Sequence, residues 1–257
     1  MRKSNMRIVI AGFGPFPGAP SNPSGRLAVA LARRRRPALD EIEITSHVFA
    51  TSYAAIDRDL SKLLAHKPDV MLIFGLAARR WQICIETRAR NAHSILFPDV
   101  AGYRPTHPAI ESGETSALRG NAPFPHLLNA LRRTALPARL SRDAGAYLCN
   151  YTYWRALQHS DNGKPLVQFV HIPVIDLKSR RGAFRRRAPM LHRLATAGEN
   201  LLIALLAADR RSCSRIIEAA QLSGPARPRI HSNYAKPARR NAKALNVRSR
   251  QAAKIAR

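Results

Sequence analysis

The sequence lacks a stretch that is long and apolar enough to cross a lipid bilayer. Its 257 residues contain no uncharged apolar run of the roughly 20 residues that a membrane-spanning helix needs. The N-terminal sequence MRKSNMRIVIAGFGPF places a short apolar stretch after basic residues, but it runs into Gly and Pro without an A-x-A cleavage pattern. We interpret it as a first strand rather than a signal peptide, and we expect no membrane association.

Cysteine is also scarce. The three cysteines, Cys84, Cys149 and Cys213, are odd in number and show no C-x-x-C spacing, so neither a disulfide framework nor a structural zinc site is supported. Unpaired thiols are typical of proteins in a reducing compartment. We therefore expect a cytoplasmic protein.

Acidic residues are few, since 16 Asp and Glu stand against 43 Lys and Arg and the net charge is +27. Residues 223–257 hold ten Lys or Arg and no acidic residue, and they lack an apolar face, which predicts a basic, disordered tail after a domain spanning 1–222. Such charge predicts non-specific binding of polyanions. A non-enzymatic, basic nucleic-acid-binding protein is an alternative, although no aromatic-interleaved basic motif or zinc-finger spacing supports it.

Apolar runs of strand length alternate with helical patterns along the chain. We predict strands at 7–11, 41–49, 69–77, 80–92 and 165–175, and a long amphipathic helix at 190–209. Residues 94–125 are rich in Pro, Gly and His and are predicted to form a long excursion. The alternation indicates an α/β sandwich.

The segment GFGPFPGAPSNPSG follows the first strand and must be a loop. It contains G-x-G, but the third Gly is late and prolines intervene before any helix, so it does not match the dinucleotide-binding fingerprint. The loop instead holds Phe13 and Phe16 on a rigid turn, which suits a small apolar pocket.

Cys149 is the cysteine best placed for chemistry. It follows DAGAYL and precedes a helical pattern, and a helix N-terminus favours the thiolate and supplies N–H groups for an oxyanion. Cys84 lies inside a predicted strand and Cys213 near the end of a predicted helix, where neither gains that support.

Two further polar residues lie in apolar strands. His171 occurs in QFVHIPV and Glu86 in ICIETRARN, where an unpaired carboxylate would be costly. A lone histidine in such a strand is more often a hydrogen-bonded core residue than a catalytic base. Mutual pairing of these groups with Cys149 is plausible, but local spacing alone leaves both interpretations open.

Four segments resemble, in order, those of the type I pyroglutamyl peptidases, which are cytosolic cysteine peptidases. The glycine-rich opening resembles G-F-G-P-F-x-G…N-P-S, and GLAARRWQICIETRARN resembles the G-L-A…E-x-x-A-x-N segment. DAGAYLCNYTYW is similar to the A-G-x-[FY]-x-C-N nucleophile segment, and FVHIP is similar to F-x-H-[IV]-P. Together they span about residues 7–175.

The resemblance implies a Cys149 nucleophile, a His171 base and a Glu86 that orients the imidazole. It also implies a substrate pocket, a three-layer α/β/α fold with a mixed, mostly parallel sheet, no metal or cofactor, and a homotetramer. The implied substrates are peptides with an N-terminal pyroglutamate. The implied pocket residues are Phe13, Phe16, Asn22 and Tyr147.

Two segments depart from the family pattern. LAARRWQ carries bulky groups where members usually have Gly before an Arg, and SRDAG puts Arg142 close to the nucleophile turn. These departures favour one further alternative, an amidase of another small lactam or N-acyl substrate on the same scaffold, through a reshaped loop at 77–81.

Overall fold

A computed structural model describes residues 6–174, apart from 17, 40, 114 and 162, and residues 190–222. The side chains of residues 212–222 are not among those described. The predicted basic tail at 223–257 and the side chain of Cys213 therefore lie outside the described part of the protein.

In the described part of the chain, eight strands form a six-stranded central sheet and a small separate pair. In the central sheet the order is β2-β1-β3-β8-β4-β7; every neighbouring pair is parallel except β8 and β4, which run antiparallel. β5 and β6 form the separate antiparallel pair. The strands are β1 (Arg7–Phe13), β2 (Glu43–Phe49), β3 (Val70–Leu76), β4 (Ile83–Glu86), β5 (Arg88–Arg90), β6 (Ala117–Arg119), β7 (Ala138–Ser141) and β8 (Leu166–Ile172).

Among the residues that the structure describes, five α-helices cover the two faces of the central sheet. Side chains of α1, α3 and α5 share one buried apolar cluster with one face, and those of α2 and α4 share a second cluster with the other face. This arrangement confirms the predicted three-layer α/β/α fold with a mixed, mostly parallel sheet. No helix in the described ranges is long and apolar enough to span a membrane. The helices are α1 (Pro23–Ala32), α2 (Tyr53–Ala65), α3 (Phe124–Arg132), α4 (Leu148–Gln158) and α5 (Met190–Leu222).

The alternation of side chains along the strands decides which polar residues meet. The two residues that flank His171 in β8 pack with α1, α3 and α5, so His171 faces the α2 and α4 side. In β4, Ile83 and Ile85 pack in that same first cluster, so Glu86 also faces the α4 side. Two strands that are far apart in sequence thus present their polar groups to one helix.

The structure differs from the sequence-based prediction at several boundaries. The single strand predicted at 80–92 is two strands, β4 and β5, which belong to different sheets. α1 begins at Pro23, before the predicted start at Arg26, because the Asn22 side chain caps it by accepting a hydrogen bond from the Ser24 N–H. The predicted excursion at 94–125 contains β6, and α5 continues past residue 209 to Leu222.

Gly12 allows β1 to lie against the start of α1, and its replacement tests this packing. A Cβ at Gly12 would lie 2.3 Å from the Ser24 carbonyl oxygen, whereas a Cβ at Gly14 would make ordinary contact, 3.5 Å from the Phe49 carbonyl oxygen. We expect Gly12→Ala to lower the free energy of unfolding by about 1–3 kcal/mol, measured by urea denaturation. Gly14→Ala is the matched control, and equal stability of the two variants would contradict the close approach.

Candidate active site

The predicted nucleophile lies at the start of α4. Cys149 is the second residue of the helix, and the first intrahelical hydrogen bond runs from the Tyr151 N–H to the Tyr147 carbonyl. The N–H groups of Leu148, Cys149 and Asn150 therefore have no acceptor within the helix. These free donors and the positive end of the helix dipole favour negative charge at the Cys149 Sγ.

The turn before Cys149 and the helix itself are fixed by side-chain hydrogen bonds. Gly145 has a φ of +86°, a conformation that favours glycine, and its N–H donates to the Asp143 Oδ1 at 3.1 Å. The buried Asn150 amide accepts from the Arg90 N–H at 2.8 Å and donates to the Arg90 carbonyl at 2.7 Å. The Asn150 side-chain amide thus bonds to the backbone of β5 as the backbone of a neighbouring strand would. This role of Asn150 is not predicted from the sequence, although the residue directly follows Cys149 in the matched segment.

His171 connects the thiol to a carboxylate. Its Nδ1 lies 2.8 Å from the Glu86 Oε1, and the two side chains are 6% and 0% exposed. Burial alone would lower the pKa of His171, but hydrogen bonds to Cys149 and Glu86 and attraction to their negative charge outweigh it and raise the pKa to about 9. The three predicted catalytic side chains therefore form one connected chain of hydrogen bonds.

Glu86 is held on both its side chain and its backbone. The Arg80 Nη1 donates to the Glu86 Oε1 at 2.7 Å. The Tyr153 hydroxyl and the Gln168 Nε2 each donate to the Glu86 backbone carbonyl, both at 3.1 Å. The buried carboxylate thus has a guanidinium and an imidazole on one oxygen, and these two donors offset the cost of its desolvation.

Gly75 in β3 leaves the space that the thiol occupies. A Cβ at this position would lie 2.9 Å from the Cys149 Sγ and 2.7 Å from the tip of the Phe169 ring. Both distances are too short, so only glycine allows the thiol to approach the sheet here. A late glycine in an otherwise apolar strand is the sequence signal that could have identified this close approach.

A cavity of about 200 Å³ opens beside Cys149 and His171. All the predicted pocket residues line this cavity, and the surface of its wall is mostly apolar. A larger cavity of about 500 Å³ also borders the glycine-rich loop but is lined by neither cysteine nor histidine. The smaller cavity is lined by Phe13, Phe16, Asn22, Thr51, Leu76, Ala144, Gly145, Ala146, Tyr147, Cys149 and His171.

The polar groups of this wall are engaged by the protein. The Asn22 amide accepts from the Ser24 N–H and donates to the Gly14 carbonyl. The Tyr147 hydroxyl donates to the Pro98 carbonyl at 2.8 Å. The side chains that point to the cavity therefore offer mainly apolar surface, with Cys149 and His171 at one side.

The departures from the family pattern leave this cavity unobstructed. Arg79 is exposed and Trp81 is 74% exposed, while Arg80 turns inward to Glu86. Arg142 is exposed, and its backbone carbonyl accepts from the Arg88 side chain. Across the described residues, no group of three or more His, Cys, Asp or Glu side chains could hold a metal ion.

Comparison with known proteins identifies the family. The family model for pyroglutamyl peptidase matches residues 6–190. Pyrrolidone-carboxylate peptidases of Gloeobacter violaceus and Pyrococcus furiosus are each 32% identical to the chain over 66% of its length and 82% of theirs. The solved structure of pyrrolidone carboxyl peptidase from Thermococcus litoralis has a TM-score of 0.71 and 27% identity, and covers 80% of this chain and 96% of that one. This chain belongs to the pyroglutamyl peptidase family, a family of peptidases.

Proposed function

We propose that the protein is a cysteine peptidase that removes an N-terminal pyroglutamate from peptides through Cys149, His171 and Glu86. The observation that carries the proposal is the chain of contacts from the Cys149 thiol through His171 to the buried Glu86 carboxylate, beside a small apolar cavity. A nucleophile, a base and a group that orients the base are the parts that acyl transfer requires.

The first step is attack on the amide. His171 takes the proton of the Cys149 thiol, which forms a thiolate beside an imidazolium. The thiolate attacks the carbonyl carbon that joins pyroglutamate to the next residue. The free N–H groups at the start of α4 stabilise the negative oxygen that forms.

The second step releases the products. The His171 imidazolium gives its proton to the leaving amine, the C–N bond breaks, and the shortened peptide departs from a thioester on Cys149. The neutral imidazole then takes a proton from water, whose oxygen attacks the thioester and frees pyroglutamate. Glu86 keeps Nδ1 protonated, so the other ring nitrogen is the one that exchanges protons with the thiol and with water.

The shape of the cavity supports a small ring as the bound group. The rings of Phe13, Phe16 and Tyr147 form flat apolar walls, and about 200 Å³ accommodates a single five-membered lactam rather than a long side chain. A catalytic thiol also requires reducing conditions, which agrees with the expected cytoplasmic location.

Removal of the thiol is the direct test of this function. We expect wild-type protein to release fluorophore from a pyroglutamyl–aminocoumarin amide under reducing conditions. Cys149→Ala should lower kcat/KM by about 10⁴-fold or more, because no other described group can attack the carbonyl. Glu86→Gln should cause a smaller loss, because it orients the base without bonding to the substrate.

Cys84→Ala is the matched control, since Cys84 is a buried thiol on β4 that has no role in the proposed steps. It should retain most of the wild-type activity. Full activity of Cys149→Ala would contradict the assignment of the nucleophile. Hydrolysis of other lactam or N-acyl amides, but not of pyroglutamyl amides, would contradict the assignment of the substrate.

The charge on His171 also predicts how stability depends on pH. Its pKa is about 9 in the folded protein and about 6.5 in the unfolded chain, so the stabilisation is fully present below pH 6.5 and is lost as the pH rises through 9. Relative to His171→Gln, the wild type should lose up to about 3 kcal/mol of unfolding free energy over that range, and less where His171 takes its proton from the Cys149 thiol rather than from water. Urea denaturation at a series of pH values measures this loss, and parallel curves for the two proteins would contradict a protonated His171.

A further inference from the structure

The loop between β3 and β4 carries two adjacent arginines whose side chains lie in opposite environments. Arg79 is exposed, whereas the Arg80 side chain is 22% exposed and turned toward the buried end of β4. Both carry the same charge at neighbouring positions. Only Arg80 contacts the site, so the pair separates the effect of charge in this loop from the effect of specific contacts.

The Arg80 guanidinium bridges two separate parts of the site. Its Nη1 donates to the Glu86 Oε1 at 2.7 Å, and its Nη2 donates to the Asp143 carbonyl at 2.6 Å. The Nη1 also lies 3.4 Å from the Ser141 Oγ at the end of β7. A planar fork with several donors can hold two acceptors at a fixed separation, which a lysine ammonium cannot do in the same way.

The Glu86 carboxylate has a single orientation only if Arg80 donates to it as well as His171. The terminal torsion of a glutamate is broad, and His171 bonds only to Oε1. Tyr153 and Gln168 bond to the Glu86 backbone carbonyl, so they fix the strand and not the carboxylate. The direction of the carboxylate is therefore set jointly by His171 and Arg80.

The other acceptor of Arg80 belongs to the turn that delivers the nucleophile. Asp143 begins the turn that passes through Gly145 and ends in α4, where Cys149 is the second residue. A shift of this turn relative to Glu86 would change the separation between Cys149 and His171. We propose that Arg80 is a positioning residue, which holds the Glu86 carboxylate and the Cys149 turn in one fixed arrangement.

This role rests on the proposed function, so the test uses one readout that requires hydrolysis and one that does not. The variants are Arg80→Gln, Arg80→Lys and the matched control Arg79→Gln. We would measure kcat and KM for pyroglutamyl–aminocoumarin hydrolysis. We would also measure the rate at which iodoacetamide alkylates Cys149, followed by mass spectrometry of the peptide that contains it.

For Arg80→Gln we expect kcat to fall about 10²-fold, the size of effect that misplacement of reacting groups causes. KM should stay within about 2-fold, because Arg80 does not line the cavity, and alkylation of Cys149 should slow about 10-fold. Arg80→Lys should recover part of kcat, because it keeps the charge beside Glu86 but cannot also hold the Asp143 carbonyl. Arg79→Gln should behave as wild type in both assays.

Equal kcat and equal alkylation rates in Arg80→Gln and Arg79→Gln would overturn the proposal, as would an effect confined to KM. If circular dichroism shows that Arg80→Gln does not fold, Arg80→Lys is the variant that tests the proposal. A reduced kcat at unchanged KM in Arg80→Lys supports the positioning role. Wild-type kinetics in Arg80→Lys overturn it. If the wild type hydrolyses no pyroglutamyl amide, the proposed function fails. The alkylation rates would then still decide whether Arg80 positions the thiol.

Discussion

A carboxylate removed completely from solvent is the constraint on which the rest of the site depends. Glu86 has no exposed surface, and an unpaired charge in such a place would cost several kcal/mol. Its Oε1 therefore receives both Arg80 and His171, at 2.7 Å and 2.8 Å. Arg80 comes from the loop before β4, and His171 comes from the neighbouring strand β8. Both ion pairs with Glu86 therefore form only when the loop and the sheet have assembled together.

The antiparallel insertion of β4 makes this assembly possible. β4 runs antiparallel to its neighbour β8, and their register places Cys84 beside His171 and Ile85 beside Val170. Glu86 then lies one step further along β8, on the same face as His171. On its other side β4 is parallel to β7, and Glu86 pairs with Ser141, just before the nucleophile turn. One strand thus connects the proposed base, His171, to the segment that carries the thiol.

Part of this arrangement could be predicted from the sequence, because burying polar groups has a recognisable cost. His171 and Glu86 are conspicuous as polar residues in apolar strands, and Cys149 as a thiol at a helix start. Arg80 is not conspicuous, since a basic residue in a loop of a protein with net charge +27 resembles any solvated arginine. Its inward direction depends on the register of β4 against β8, which no local pattern specifies.

The division of the predicted strand at 80–92 has the same origin. Residues on both sides of Thr87 have strand-like composition, but Thr87 donates from its N–H to the Ser141 carbonyl, and beyond it the chain leaves the central sheet. Long-range pairing of β5 with β6, and of Arg90 with Asn150, decides the break. Such contacts join residues far apart in sequence, so the hydrophobic periodicity of the segment does not predict them.

The cavity and the hydrogen-bonded network have different roles in the candidate site. The amide of Asn22 and the hydroxyl groups of Thr51 and Tyr147 bond to backbone carbonyls or cap a helix, so they stabilise the cavity wall. The remaining surface is apolar, so a group bound there would be selected mainly by size and flatness. Polar chemistry is then confined to the side where Cys149 and His171 meet the start of α4. A small apolar group bound in this cavity would place its adjoining bond at that side, within reach of the thiol.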